Sequence, residues 1–212
     1  MGDQNAIAGR RYDLARVAWS RGDYEQAARL YEETLAIVRE LSNKVAIAGI
    51  LCELGEVAWA QGNLELAAER CEESLAIGRE IDGQFTIASA LNRLGKMAYS
   101  RGEYDAARSL HSEALEKLRE TGHHWGIAYS LEAFTNLAVV QQDTRRAARL
   151  FGATESLYTQ FRFLLFSPLE RDNHERRVAA IRAALGEGVS SALWAEGRAM
   201  TMEQAAEYAL KE

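Results

Sequence analysis

An all-α fold, a solenoid of stacked antiparallel helix pairs closed by a helical cap, is predicted by three observations. The first is a period. Ile7-Ala8, Ile47-Ala48, Ile87-Ala88 and Ile127-Ala128 stand 40 residues apart, as do Gly22, Gly62 and Gly102. The second lies inside each period, where apolar residues recur at three- and four-residue steps in two runs separated by a short break. The third is the scarcity of helix breakers: Pro168 is the single proline, and alternating runs of β-branched residues are absent. A fixed period of this size describes supersecondary units that bury their faces against one another, not one core wound from unrelated elements.

The second unit shows the elements most clearly. Ile47, Ile50, Leu51, Leu54, Val57 and Ala58 lie on one face of a helix. Gln61-Gly62-Asn63 breaks it, and Leu64, Ala67, Ala68, Cys71, Leu75 and Ile77 form a second amphipathic helix. A link this short forces the two helices to run antiparallel. Ser42-Asn43 and Asp82-Gly83 separate one unit from the next. The register gives four units, at about 4–42, 43–82, 83–122 and 123–160, with capping helices over 161–212.

The columns at steps of 40 explain the packing. Ala18, Ala58, Ala98 and Ala138 form one, and Ala27, Ala67, Ala107 and Ala147 another. Alanine at a crossing lets two helix axes approach to about 8 Å. Tyr31, Cys71, His111 and Phe151 fill the space toward a neighbour, and Gly22, Gly62 and Gly102 sit where the first helix ends and left-handed backbone is needed. Together, Leu14, Ala15, Ala18, Gly22, Tyr24, Ala27 and Tyr31 resemble the tetratricopeptide repeat (TPR), and so do Leu54, Gly55, Ala58, Gly62, Leu64, Ala67 and Cys71. Leu94, Gly95, Ala98, Gly102, Tyr104, Ala107 and His111 repeat the pattern; Phe134, Thr135, Ala138, Gln142, Thr144, Ala147 and Phe151 keep a degraded form of it. The resemblance covers about residues 4–160 and implies a right-handed TPR-like solenoid that works as a binding surface. The family's usual period is 34, often closed by proline; here Arg39, Arg79 and Arg119 occupy that slot, which predicts longer second helices.

Beyond residue 160 the register is lost. Ser167-Pro168 reads as an N-cap with proline at the first helical position, Val178, Ile181 and Leu185 as an apolar stripe, and Gly186 as its end. Val189, Leu193 and Trp194 mark a short helix stopped near Gly197, and Thr201 with Gln204 reads as a capping box opening the last. The runs from Ala147 to Ala153, Ala184 to Gly186 and Trp194 to Ala205 resemble the end of large bacterial regulators, the signal-transduction ATPases with LuxR- or SARP-type DNA-binding domains. That resemblance implies an arm that senses or relays, and a bacterial, cytoplasmic setting.

Composition narrows the function. Net charge is -6, with no Lys/Arg stripe, which argues against direct nucleic-acid binding. No apolar run approaches a membrane span, and no basic segment followed by an apolar core suggests a signal peptide. Cys52 and Cys71 form no C-x-x-C pair, and two lone cysteines fit a reducing compartment. No P-loop motif is present, and no cofactor is expected. His123-His124 lacks ligand spacing and reads as a solvated loop, His174 as a solvated residue and His111 as core, so neither a metal site nor an enzyme is expected.

The functional candidates are positions on the first helices that vary while the scaffold repeats. They are Tyr12, Cys52, Asn92 and Glu132; Arg16, Glu56, Lys96 and Asn136; Trp19, Trp59 and Tyr99; and Tyr129. In a TPR solenoid they line the concave groove, suited to a peptide or partner domain. A small-molecule inducer is the second reading. The third is a passive scaffold or a homodimer formed through the cap. The bland account of Trp19, Trp59 and Tyr99 is packing between helices.

Overall fold

The computed structural model describes residues 2–161 and 168–211, and among these all regular structure is helical. The first eight helices are α1 (Gly2–Ser20), α2 (Tyr24–Glu40), α3 (Lys44–Ala60), α4 (Leu64–Glu80), α5 (Gln84–Ser100), α6 (Tyr104–Thr121), α7 (His124–Val140) and α8 (Thr144–Phe161), and within the two units described below α1 packs antiparallel on α2, α3 on α4 and α7 on α8. Three more follow: α9 (Pro168–Leu185), α10 (Glu187–Arg198) and α11 (Met202–Leu210). Ser167, the expected N-cap of α9, lies outside the described residues. The chain forms two compact units, one running to Met97 and one holding Ala98 onward with the tail from Glu170.

Local chemistry fixes the helix ends. Gly22, Gly62 and Gly102 have φ of 79°, 81° and 80° at the elbow of each pair, and Gln142 holds the fourth elbow at 61° without glycine's freedom. The breaks between pairs use the same conformation at Ser42, Asp82 and Gly122. Asp23, Asn43 and Asn63 then accept a hydrogen bond from the backbone N–H three residues on, capping α2, α3 and α4. His123 is a correction to the solvated-loop reading. Its Nδ1 accepts from Gly126 N at 3.2 Å, so it is the N-cap of α7, standing two periods after Asn43.

In the first unit, Ala8, Ala15, Ala18, Ala27, Leu30, Tyr31, Leu35 and Val38 share one core with Ile50, Leu51, Leu54 and Val57 of α3. Thus α2 is covered on one side by its partner α1 and on the other by the following pair. The alanine columns are buried throughout both units, as are Tyr31, Cys71, His111 and Phe151. Leu14 departs from its column: Leu54 is buried, whereas Leu14, one period earlier, is 57% exposed. Leu54 has α2 against it, and Leu14 precedes α2 in the stack.

In the second unit the tail packs onto the fourth pair. α10 crosses α8 where Gly152 and Gly197 face each other's backbones: a Cβ on Gly152 would sit 3.0 Å from the Trp194 carbonyl carbon, and one on Gly197 2.8 Å from that of Arg149. Beside the crossing the Phe151 ring meets Trp194 edge-on at 4.3 Å, and the Trp194 indole donates to Glu155 at 2.7 Å. The helix α11 opens with the expected capping box at Thr201 and Gln204 and buries Ala205, Ala206 and Ala209. Its closing carbonyls of Tyr208 and Ala209 accept from the Arg146 guanidinium at 3.1 and 2.9 Å, which satisfies acceptors that a helix end leaves open.

Candidate functional site

The first unit brings eight of the candidate residues onto consecutive first helices: Tyr12, Arg16 and Trp19 on α1, Cys52, Glu56 and Trp59 on α3, and Asn92 and Lys96 on α5. They sit at three depths. Arg16 is exposed, Tyr12, Trp19, Trp59 and Lys96 are half-buried, and Cys52, Glu56 and Asn92 are buried. A buried side chain has no surface to offer a partner, so the last three shape the face from beneath. Cys52 Sγ lies 3.1 Å from Ser74 Oγ, itself bonded to the Ala48 carbonyl, which ties α3 to α4.

Glu56 is the anchor of an ionic cluster. Lys96 Nζ donates to its Oε2, and Arg93 Nε lies 3.7 Å from its Oε1. Arg93 also reaches Glu53 at 3.2 Å and is itself 5% exposed. Removing such charges from water is costly, so they persist only as a mutually neutralising set. Burial raises the Glu53 carboxyl above its ordinary range, opposed first by Arg93 and, among others, by Arg16 and Lys96. Arg93 and Lys96 thus hold the two carboxylates, and Arg16 adds a positive charge farther off. The Lys96 ammonium, held by Glu56, rests 3.7 Å over the Trp59 ring, a cation–π contact that fixes both side chains in place.

The aromatic column has a packing role of its own. Trp19 meets Tyr24 at 5.2 Å and, 80 residues on, Tyr99 meets Tyr104 at 5.5 Å; Trp59 with Leu64 lines a core patch at the same elbow. Each therefore braces the elbow of its own pair. Tyr12 packs on Tyr31 at 5.7 Å, and burial pushes its hydroxyl up to about 12.

In the second unit, Glu132 and Asn136 are engaged by the tail. Arg177 of α9 donates to Glu132 Oε1 and to Asn136 Oδ1, and the Tyr158 hydroxyl donates to Glu132 Oε2 at 2.8 Å. Tyr129 packs beside Trp125 at 5.7 Å. His174 is not solvated as its charged stretch suggests: it is half-buried against Phe151 at 4.7 Å, and burial, together with Arg177, lowers its pKa. A one-water-sized space there is lined by Glu132, Thr135, Phe151, Thr154, His174 and Arg177.

Arg93, Glu53, Tyr158 and Arg177 escape a search for non-repeating columns. The period holds a signal for the first two: Glu53 and Arg93 stand 40 apart with opposite charge, as do Glu56 and Lys96. Residues one period apart on first helices are neighbours, so an inverted charge at that spacing marks an ion pair. Arg177 lies outside the register and carries no such mark.

No group of three His, Cys, Asp or Glu converges as a metal site among the described residues. None of their helices is long and apolar enough to cross a membrane.

The arrangement defines a helical-hairpin repeat protein whose first helices present a charged and aromatic surface. The tetratricopeptide repeat family model matches residues 10–80 and 46–120, and the chain belongs to that family. No curated protein matches. Among solved structures it is similar to BtubC (BKLC) from P. vanneervenii, with 21% identity, 92% of this chain and 80% of that one covered, and a TM-score of 0.63. A putative kinesin light chain from Podosopora anserina with nearly identical TPR-like repeats is also similar, at 18% identity, coverage of 89% and 92%, and a TM-score of 0.54. At these identities the likeness is one of fold.

Proposed function

We propose that the first unit binds a peptide or the surface of a partner domain across α1, α3 and α5, and that the ligand carries an acidic group. The observation that supports this most is the ordered Lys96–Trp59 pair, locked from below by buried Glu56, with exposed Arg16 on the same run of helices. Fixing a long cationic side chain before binding lowers the ordering cost of the complex. Exposed Arg16 adds a solvent-facing positive charge to the same run of helices, which favours a negative charge on the ligand. Exposed Arg16 and half-buried Tyr12, Trp19, Trp59 and Lys96 are then the contact residues, with Cys52, Glu56 and Asn92 as support. The chain has no catalytic role in this reading.

We also infer a setting: a sensor or interaction arm of a bacterial, cytoplasmic signalling or transcription regulator. The residues that resemble such regulators include Gly152, Trp194 and Gly197, which form the α8–α10 crossing. A tail built to that crossing acts as the cap of the repeats.

The test is selection of peptides on the intact chain, followed by affinity measurements on Arg16→Glu and Trp59→Ala. Each is expected to weaken binding at least about tenfold, the loss of one charge-assisted or cation–π contact. Selected peptides that bind both variants as well as the original chain would refute the site. A thermal shift produced by a metabolite, and by no peptide, would favour the small-molecule reading instead.

A further inference from the structure

The chain has two cysteines, and both stand in one helix pair, as free thiols. Cys52 of α3 and Cys71 of α4 hold the positions that Tyr12 and Tyr31 hold one period earlier, where the two rings meet at 5.7 Å. Two periods after the cysteines the same positions are Glu132 and Phe151, which line one space. Residues at these positions face each other across a pair, and the cysteines do so too: their thiols are hydrogen-bonded to one another. A Cβ on Gly55, one turn beyond Cys52, would sit 2.6 Å from Cys71 Sγ, so that sulfur occupies the notch where α3 has no side chain. Cys52 Sγ in turn lies 3.1 Å from Ser74 Oγ, one turn beyond Cys71. Both sulfurs are thus interleaved between the helices and buried. Packing asks for volume at each position separately and gives no reason for the two cysteines of the chain to meet.

We propose that Cys52 and Cys71 are a redox site, a buried dithiol that closes reversibly to a disulfide joining α3 to α4, with a low-molecular-weight disulfide of the glutathione class as oxidant. The two thiols are not equivalent. The Cys71 hydrogen bond, helped by Arg93 and Ser74, draws the Cys52 thiol down against the opposing effect of burial, while the same bond and burial push the Cys71 thiol up. Cys52 therefore sheds its proton first and is the attacking sulfur. Its thiolate attacks one sulfur of the oxidant, whose S–S bond breaks and releases one glutathione thiolate, which takes up the Cys52 proton. Cys71 then attacks the Cys52 sulfur of the mixed disulfide, and the second glutathione leaves with the Cys71 proton. The pair loses two electrons and two protons, and the oxidant becomes two thiols. Burial makes both steps wait on local opening of the pair, but the equilibrium is set by how well the fold holds the sulfurs together. The closed loop, residues 53–70, contains Glu56 and Trp59, so oxidation stiffens the hairpin that carries them.

The test equilibrates the intact chain in buffers of reduced and oxidised glutathione, with and without denaturing urea. Free thiols are then alkylated and the disulfide fraction is read by mass spectrometry. An internal Cys52–Cys71 bond is expected. Its equilibrium constant should be at least about tenfold larger in the folded chain than in urea, because a bond that stabilises the fold is stabilised by it to the same degree. By the same linkage the oxidised chain should unfold at a higher urea concentration than the reduced one, and dithiothreitol should reverse the difference. A constant no larger in the folded chain than in urea overturns the proposal, since the fold would then hold the sulfurs apart. Disulfides between chains in place of the internal bond overturn it as well. No peptide enters the assay, so its result is independent of the peptide-binding reading.

Discussion

Replacing Gly197 by alanine adds one methyl group where α10 crosses α8, and two effects compete. Alanine is the better helix former by about 1 kcal/mol. Against this, the new Cβ would stand 2.8 Å from the Arg149 carbonyl carbon and 3.0 Å from Ala153 N, and nearer still to the Arg149 carbonyl oxygen. Ordinary contact begins at 3.4 Å, so the carbon alone is overrun by about 0.6 Å. The obstacle is backbone, which no rotamer change can clear, and α10 must move away from α8. Overpacking of this kind costs about 1–3 kcal/mol, and here the shift also loosens Phe151 against Trp194 and the Trp194–Glu155 hydrogen bond. Urea unfolding should show Gly197→Ala destabilised by about 2 kcal/mol net. Hydrogen exchange should rise in α8 and α10. Gly152→Ala should behave alike, because its Cβ would meet the Trp194 backbone. Gly188→Ala is the control: it lies on the same helix with nothing within 4 Å of its Cβ, and should gain up to about 1 kcal/mol. A neutral or stabilised Gly197→Ala, with Gly188→Ala also stabilised, would refute the close crossing.

Three further outcomes follow from other parts of the molecule. Gln142→Gly should raise stability by about 0.5–1 kcal/mol in thermal unfolding, since Gln142 holds φ at 61° where the three earlier elbows have glycine. Burial lowers the His111 pKa to about 3 from 6.5, so the unfolded chain binds a proton that the folded one refuses as pH falls below 6.5. Stability should therefore drop between pH 6.5 and 3, with His111 contributing about 2 kcal/mol of loss by pH 5, and His111→Phe should flatten that part of the profile. Glu56→Ala removes the carboxylate that Lys96 and Arg93 share and should cost about 3 kcal/mol in urea unfolding. By contrast, Glu80→Ala, which breaks only the exposed pair with Lys44, should cost under about 1 kcal/mol.

The repeat made the scaffold legible because packing acts at a fixed spacing. Ala58 and Ala67 are buried for the reason that Ala18 and Ala27 are, and the same columns carry through Ala138 and Ala147. Leu14 departs because the column encodes a face, whereas burial depends on the helix that covers it, and α1 has no α2-like helix ahead of it in the described residues. The candidate site was legible only as a set of positions. Sequence placed Glu56 and Lys96 on one surface with opposite charge one period apart; the buried depth of Cys52, Glu56 and Asn92 required the third dimension. The engagement of Glu132 and Asn136 by Arg177 was out of reach, because α9 stands outside the period that aligns everything before it.

The central claim is that the run of first helices α1, α3 and α5 is the binding surface of this chain. Amide hydrogen exchange of the intact chain, with and without a selected peptide, tests it most directly. Added protection is expected on α1, α3 and α5 around Arg16, Trp59 and Lys96, with α2 and α4 unchanged. Protection confined to the second helices, or to α10 and α11, would contradict it.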